Sequence, residues 1–196
     1  MSEHYYTERP KSPLNVFILK QRIMGKDFEF YTASGIFSKS KIDAGTLTLA
    51  ENMQIKKSSK VLDIGCGIGV LGVIAAKLFG ANVTMSDINK RAVMLARKNV
   101  KINNLDAEVF HGNLYEKINA MDFDVVLSNP PQNAGKEICF KIIEGAKMHL
   151  KDGGNLHLVA RHNKGGKSLS EKMKDVFGNV KVIARKSGYF VYMSEK

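Results

Sequence analysis

A glycine-rich stretch between two apolar runs is the first part of the sequence whose residues could do chemistry. Residues 61–64 are apolar apart from Asp63, and Val70–Phe79 is apolar over the length of a helix. Between them three glycines stand at every second position: Gly65, Gly67 and Gly69. Glycine permits positive φ and a close ligand approach, and the first turn of a helix presents unpaired N–H groups. The pattern predicts a strand, a glycine loop and a helix that together bind a nucleotide.

An acidic residue ends the next predicted strand. Asp87 closes Asn82–Asp87, and Ile88 follows it directly. A carboxylate at this strand end can accept hydrogen bonds from both ribose hydroxyls, and an isoleucine beside it can pack on an adenine ring. The pair indicates an adenosine-containing ligand, which nicotinamide-dependent dehydrogenases also bind.

A third group of residues ends the fourth strand of the predicted core. Residues 123–129 lead into Asn129-Pro130-Pro131, and catalytic groups in such sheets gather at the carboxyl ends of central strands. Two prolines in succession restrict the backbone, so the Pro130 carbonyl can point in one direction beside the Asn129 side chain. Two fixed oxygen acceptors suit a planar exocyclic amine, and a dehydrogenase would leave the motif without a role.

Strands and helices alternate from residue 60 onward, which predicts a parallel sheet covered by helices on both faces. The strands are predicted at 60–65, 82–87, 108–111, 123–129, 155–161, 180–184 and 189–193. Helices are predicted at 46–53, 70–79, 89–103 and 136–150, the last stopping at the glycines of 152–154, and a further helix ends at Gly178. Because only residues 185–188 separate the last two strands, these must form an antiparallel hairpin at a sheet edge. The predicted fold class is α/β: a Rossmann-like, seven-stranded, mostly parallel sheet with an antiparallel C-terminal hairpin.

The chain divides into an extension, residues 1–59, and a core, residues 60–196. The extension begins with a polar arm and continues with short strands or a hairpin near residues 16–19 and 28–31, before the first helix.

Composition points to a polyanionic partner. The 30 Lys and Arg against 19 Asp and Glu give a formal charge of +11, which favours nucleic acid. No apolar run approaches the ~20 residues of a membrane span, and the first residues lack the apolar centre of a signal peptide. The two cysteines, Cys66 and Cys139, match no metal-ligand spacing, so we expect a cytoplasmic protein without a metal.

The glycine loop together with Asn129-Pro130-Pro131 resembles the class I S-adenosylmethionine-dependent methyltransferases that modify planar exocyclic nitrogens. Four further segments are similar to the catalytic half of the small-subunit ribosomal RNA guanine-N2 methyltransferases, the RsmC-like or MTS family. These segments are Gly35-Ile-Phe-Ser38, Ile42-Asp-Ala-Gly45, Asn113-Leu114 and Ser187-Gly-Tyr-Phe-Val-Tyr192. The resemblance covers roughly residues 28 to 193. It implies methylation of the guanine N2 amine in RNA, with small-subunit ribosomal RNA as the expected substrate.

The resemblance also implies roles for the cofactor-binding residues, the catalytic motif and the contacts of the target base. S-adenosylmethionine would be bound by the glycine loop and the strand-end residues: Asp63, Gly65, Cys66, Gly67, Gly69, Asp87, Ile88, Asn113 and Asn129. Asn129, Pro130 and Pro131 would form the catalytic motif, which needs no strong base. The substrate base would contact Phe37 and Gln132, which stands where the superfamily has an aromatic residue. Separately from the resemblance, Arg161, Lys164 and Lys167 are predicted to contact substrate phosphates, because they are basic and follow the fifth predicted strand of the core on the ligand side of the sheet.

Three alternatives stay open at this point. The same motif could serve another planar amine or amide, in transfer RNA guanine, DNA adenine or protein glutamine. A nicotinamide-dependent oxidoreductase would explain the glycine loop and Asp87. A non-catalytic RNA-binding protein with the same fold would bind no cofactor.

Overall fold

Nine strands and five α-helices follow one another in the computed structural model, which describes residues 15–33, 41–131 and 135–196. The strands are β1 (Val16–Ile23), β2 (Lys26–Ala33), β3 (Lys60–Ile64), β4 (Asn82–Asp87), β5 (Glu108–His111), β6 (Phe123–Ser128), β7 (Leu150–Arg161), β8 (Lys181–Lys186) and β9 (Tyr189–Glu195). The helices are α1 (Ala44–Ala50), α2 (Val70–Phe79), α3 (Lys90–Ile102), α4 (Lys136–His149) and α5 (Gly166–Phe177), with a 3₁₀ turn at His162–Lys164.

Seven of these strands form one sheet in the order β5-β4-β3-β6-β7-β9-β8. Strands β3 to β7 are parallel, whereas β9 runs antiparallel to both β7 and β8. After β7 the chain first forms β8 at the edge of the sheet. It then returns as β9, which pairs between β7 and β8. The predicted fold class and the C-terminal hairpin are confirmed.

Helices cover both faces of this sheet. One apolar cluster joins the hairpin β1–β2, α1, α2 and α3 to one face. A second cluster joins α4 and α5 to the other. Within the described residues, no helix is long and apolar enough to cross a membrane. The division of the chain at residue 60 stays a prediction.

The seventh strand begins earlier than the sequence indicates. Leu150 already pairs with Phe123, and the register shifts before Val125 pairs with Asn155. Residues 151–154 therefore form a bulge inside β7, where Gly153 has a φ of 74°. The prediction that residues 152–154 terminate a helix was wrong, because a bulge also needs a residue that tolerates positive φ.

The first helix also starts earlier than predicted, at Ala44 instead of Thr46, and it ends at Ala50 instead of Met53. Asp43 sets this start, because its Oδ1 accepts a hydrogen bond from the Thr46 backbone N–H at 2.9 Å. Such an N-cap satisfies one of the unpaired donors in the first turn.

The N-terminal hairpin is fastened to the core by two asparagines of α3. Met24 and Gly25 make its turn with φ of 48° and 79°, as a two-residue turn of twisted strands requires. Asn99 accepts from the Tyr31 N–H at 2.6 Å and donates to the Tyr31 carbonyl at 3.0 Å. Asn103 makes the same pair of bonds with Glu29. Each side-chain amide therefore takes the place of a neighbouring strand along the outer edge of β2.

Replacing Asn99 by alanine should lower the free energy of unfolding by about 2–4 kcal/mol, because buried polar groups of β2 lose their partners. Urea denaturation measures the change. The exposed Asn82, whose side-chain amide makes a long 3.5 Å contact with the Ser58 carbonyl, is the matched control, and Asn82→Ala should change stability by less than about 0.5 kcal/mol. Equal losses in the two variants would contradict the role assigned to Asn99.

Candidate active site

The glycine loop joins β3 to α2 and takes a backbone path that other residues rarely follow. Gly65, Gly67 and Gly69 have φ of 68°, 56° and 81°. The N–H groups of Gly65 and Cys66 both donate to the Ser86 carbonyl, at 2.9 and 3.1 Å. The loop is therefore fixed to the end of β4, beside the carboxylate of the next residue.

Asp63 is buried on β3, below the loop, and is 1% exposed. Its Oδ2 accepts a hydrogen bond from the Gly72 N–H at 3.0 Å. Burial raises the pKa of Asp63 to about 7; the Gly72 bond opposes this shift and the nearby charge of Asp87 adds to it. Near neutral pH this carboxylate is easily ionised by a cation placed beside it.

Asp87 ends β4 and holds the loop from the other side. Its Oδ2 accepts from the Gly67 N–H and its Oδ1 from the Asn89 N–H, both at 2.8 Å. Burial raises the pKa of Asp87, although these two backbone bonds oppose the shift. Each oxygen has a second lone pair, so the carboxylate can also accept ligand hydroxyls.

A pocket opens next to Asp87 at the carboxyl ends of the strands. Its lining residues are Gly65, Ser86, Asp87, Ile88, Asn113, Leu114, Pro131, Ile138 and Ile142. Asp87 and Asn113 supply polar groups to this wall, and Ile88, Leu114, Ile138 and Ile142 supply aliphatic surface. This combination fits an adenosine: acceptors for the ribose hydroxyls, apolar surface for the base and a polar group for its edge. The glycine backbone adds room for the group attached to the ribose.

Three residues of this wall were not among the predicted site residues. Leu114 follows β5 with a φ of 51°, and Ile138 and Ile142 come from α4. The two isoleucines are four residues apart and so lie on one helix face, but that spacing also describes an ordinary core helix. The spacing of Ile138 and Ile142 is therefore visible in the sequence, but it does not distinguish a pocket wall from a core helix.

Cys66 is buried within the loop, and burial raises the pKa of its thiol well above the usual range. Since the thiolate is the reactive form of cysteine, this side chain is unsuited to act as a nucleophile. Its small side chain packs in the loop.

The Asn-Pro-Pro motif reaches the same pocket through Pro131. Asn129 is half-buried and Pro130 is buried. The Asn129 Nδ2 lies 2.9 Å from the Thr46 Oγ1 and 3.3 Å from the Asp43 Oδ1. The Asn-Pro-Pro motif therefore lies between the nucleotide pocket and the start of α1. A substrate bound at this place could contact both the motif and a nucleotide in the pocket.

Asp43 and Thr46 were not among the predicted site residues. An aspartate just before a predicted helix indicates an N-cap, and Asp43 stands in that position. Their contact with Asn129 links residues more than eighty positions apart, and no local pattern predicts such a contact.

The three basic residues predicted to meet the substrate lie at the same end of the sheet as Asn129. Arg161 ends β7, and its guanidinium lies 4.9 Å from the centroid of the Tyr189 ring. Lys164 belongs to the 3₁₀ turn that follows, and Lys167 to the first turn of α5. All three side chains are exposed. The other two predicted substrate residues, Phe37 and Gln132, lie outside the described residues.

Comparison with known proteins agrees with this geometry. The family model for the methyltransferase small domain matches residues 27–193. YbxB of Bacillus subtilis, an uncharacterized protein, is 34% identical over 200 residues, across the full length of both chains. Ribosomal RNA small subunit methyltransferase C of Haemophilus influenzae is 34% identical over 172 residues, which are 85% of this chain and 51% of that protein.

A solved structure is also similar over nearly the whole chain. The 16S rRNA N2 G1207 methyltransferase (RsmC) of Thermus thermophilus, in complex with AdoMet and guanosine, superposes with a TM-score of 0.83 at 25% identity. The match covers 96% of this chain and 52% of that one. The chain thus spans about half the length of both named RNA methyltransferases. Because the family match extends from the N-terminal hairpin to the last strand, the chain belongs to the methyltransferase small domain family.

Proposed function

We propose that the protein transfers a methyl group from S-adenosylmethionine to the exocyclic N2 amine of guanine in RNA, with small-subunit ribosomal RNA as the substrate. The observation that carries the proposal is the position of Asn129, fixed beside a nucleotide pocket that Pro131 helps to line. The Thermus relative acts on this amine and was solved with AdoMet and guanosine. As the composition predicts, the enzyme would work in the cytoplasm.

The pocket supplies the cofactor contacts in this proposal. Asp87 accepts the ribose hydroxyls, Ile88 packs on the adenine, and Asn113 reaches the adenine edge; all three line the pocket. Asp63 faces the ammonium group of the methionine part. The backbone at Gly65, Cys66, Gly67 and Gly69 surrounds that part of the cofactor.

The cofactor supplies an electrophilic methyl group on a sulfonium, and the protein activates the amine that attacks it. The Asn129 Oδ1 and the Pro130 carbonyl accept the two hydrogens of the amine, so its lone pair leaves conjugation with the ring and faces the methyl carbon. When bound, S-adenosylmethionine would give its methyl group to the amine nitrogen and leave as a neutral thioether that keeps the electron pair of the broken C–S bond, and water would take the excess proton from nitrogen. Positioning of this kind contributes up to ~7–11 kcal/mol in favourable cases.

In this proposal the RNA binds to exposed basic residues on the protein surface. Arg161, Lys164 and Lys167 are exposed at the reactive end of the sheet, where their charges can meet phosphates. Phe37 and Gln132 contact the target base in the same proposal. The net charge of +11 favours a nucleic acid over a protein substrate.

Asn129→Ala should lower kcat by about 10²–10³-fold, because an acceptor aimed at charge developing in the transition state is lost. The cofactor Kd should rise by less than about tenfold. Transfer of labelled methyl groups to unmodified ribosomal RNA and small subunits, with the nucleoside identified by mass spectrometry, measures both the rate and the product. Label in transfer RNA, DNA or protein instead would change the assigned substrate. Hydride transfer from a nicotinamide cofactor would contradict the proposed methyltransferase activity.

The affinity for S-adenosylmethionine should increase as the pH rises from about 5.5 to about 7. Over this range Asp63, with its pKa raised to about 7, is mostly protonated in the free protein, and an ammonium group favours its ionised form. Binding should therefore release a proton, and the Kd should fall by up to about tenfold per pH unit. Calorimetry in two buffers of different ionisation enthalpy detects this proton. Asp63→Asn should bind more weakly and with no such pH dependence; an unchanged pH profile in that variant would contradict the contact.

Replacing Lys164 and Lys167 together by alanine should weaken RNA binding and lower the slope of log K against log salt concentration by about 1.4–1.8. Lys56 and Lys57 are exposed before β3, at the opposite end of the sheet, so the Lys56→Ala, Lys57→Ala double variant is the matched control. If the two double variants have equal slopes of log K against log salt concentration, Lys164 and Lys167 do not contact RNA phosphates.

A further inference from the structure

The start of α1 forms a small polar cluster with Asn129 that the predicted catalytic motif does not include. Asp43 accepts three hydrogen bonds: from the Thr46 N–H at 2.9 Å, from the Thr46 hydroxyl at 2.5 Å, and from the Asn129 Nδ2 at 3.3 Å. The Asn129 Nδ2 also donates to the Thr46 Oγ1 at 2.9 Å. Thr46 is buried, whereas Asp43 and Asn129 are half-buried.

The hydrogens of this cluster can be placed in only one way. An ionised carboxylate has none, so Asp43 can only accept. The single hydroxyl hydrogen of Thr46 is used toward Asp43, so the Thr46 oxygen accepts from Asn129. Both neighbours of the Asn129 amide on the α1 side are therefore acceptors. Only the Nδ2 end can face them, and the Oδ1 lies at the other end of the amide.

The reversed amide is strongly disfavoured. Turning Asn129 over would place its carbonyl oxygen against a carboxylate and against a hydroxyl oxygen whose hydrogen points elsewhere. It would also leave both amide hydrogens without these two partners. A donor that bonds to a carboxylate also polarises its own amide, which makes the carbonyl oxygen a better acceptor.

The backbone around this cluster is held in place from outside. A Cβ built on Gly45 would lie 2.8 Å from the Tyr189 ring, so that ring packs directly on the first turn of α1. Tyr189 in turn pairs with Arg161 at the end of β7. Asp43 and Thr46 are therefore anchored to the same sheet that carries Asn129.

We propose that Asp43 and Thr46 are positioning residues that fix the polarity of the Asn129 amide, so that its Oδ1 rather than its Nδ2 meets the target amine. This inference rests on the proposed function, in which that oxygen accepts a hydrogen from the amine. A reversed amide would present a donor to a donor and would repel the substrate. The hydrogen bonds of Asp43 and Thr46 thus hold the Asn129 amide in one orientation before the substrate binds.

Three substitutions separate positioning from structural support. Asp43→Asn retains a good N-cap, but its amide hydrogens compete with those of Thr46 and Asn129. It should lower kcat by about 10–100-fold, with the melting temperature and the cofactor Kd unchanged. Thr46→Val removes the hydroxyl at nearly constant volume and should lower kcat by about 5–20-fold. Thr46→Ser restores the hydroxyl and should keep kcat within about threefold of the wild type.

A purely structural role predicts a different outcome. Asp43→Asn would then retain its kcat, or lose it only together with the melting temperature, and either result would overturn the proposal. A loss in Thr46→Ser equal to that in Thr46→Val would do so as well, because the hydroxyl would not matter.

A second measurement needs no substrate. In the wild type, the side-chain amide hydrogens of Asn129, assigned by their absence in Asn129→Ala, should exchange with solvent more slowly than those of the exposed Asn163. Asp43→Asn and Thr46→Val should abolish this difference. If the wild type methylates no RNA, the proposed function fails, while the exchange rates still decide whether the amide is held; fast exchange in the wild type would overturn the positioning role.

Discussion

Two carboxylates buried under one glycine loop are the constraint on which the rest of the site depends. Asp63 and Asp87 accept the backbone N–H groups of Gly72 and Gly67, so buried charge as well as packing fixes the loop and the first turn of α2. Burial of such groups is unfavourable unless donors surround them. The Gly72 N–H at Asp63 and the Gly67 and Asn89 N–H groups at Asp87 satisfy only part of that demand, and a ligand carrying hydroxyl and ammonium groups would satisfy the remainder.

The charges are arranged with opposite signs inside and outside. Asp43, Asp63 and Asp87 lie around the place where a cationic cofactor and an amine gaining positive charge would meet, although the whole chain carries +11. The exposed lysines stand at the rim of the same end of the sheet. An interior that favours cations and an exterior that favours phosphates suit a sulfonium donor and a polyanionic acceptor in one small protein.

Much of this arrangement could be predicted from the sequence, because its signals are local. The glycine spacing, the acid at the end of Asn82–Asp87 and the Asn-Pro-Pro motif each occupy a few consecutive residues, and β/α alternation places them at one edge of the sheet. What could not be predicted depends on distant contacts. Asp43 contacts Asn129 although 86 residues separate them in the sequence. Ile138 and Ile142 enter the pocket wall from α4. The bulge in β7 follows from the pairing of Leu150 with Phe123.

Asn99 gives the N-terminal hairpin a thermodynamic connection to the reaction centre. Besides holding Tyr31, its amide donates to the Ile68 carbonyl inside the glycine loop at 2.8 Å. Opening the hairpin would release the Asn99 amide from Tyr31 and so loosen the glycine loop. The free energies of opening the hairpin and of opening the loop are therefore coupled. By linkage, a ligand that binds only the ordered loop also suppresses fluctuations of the hairpin. The hairpin thus takes part in the energetics of ligand binding although the pocket wall does not include it.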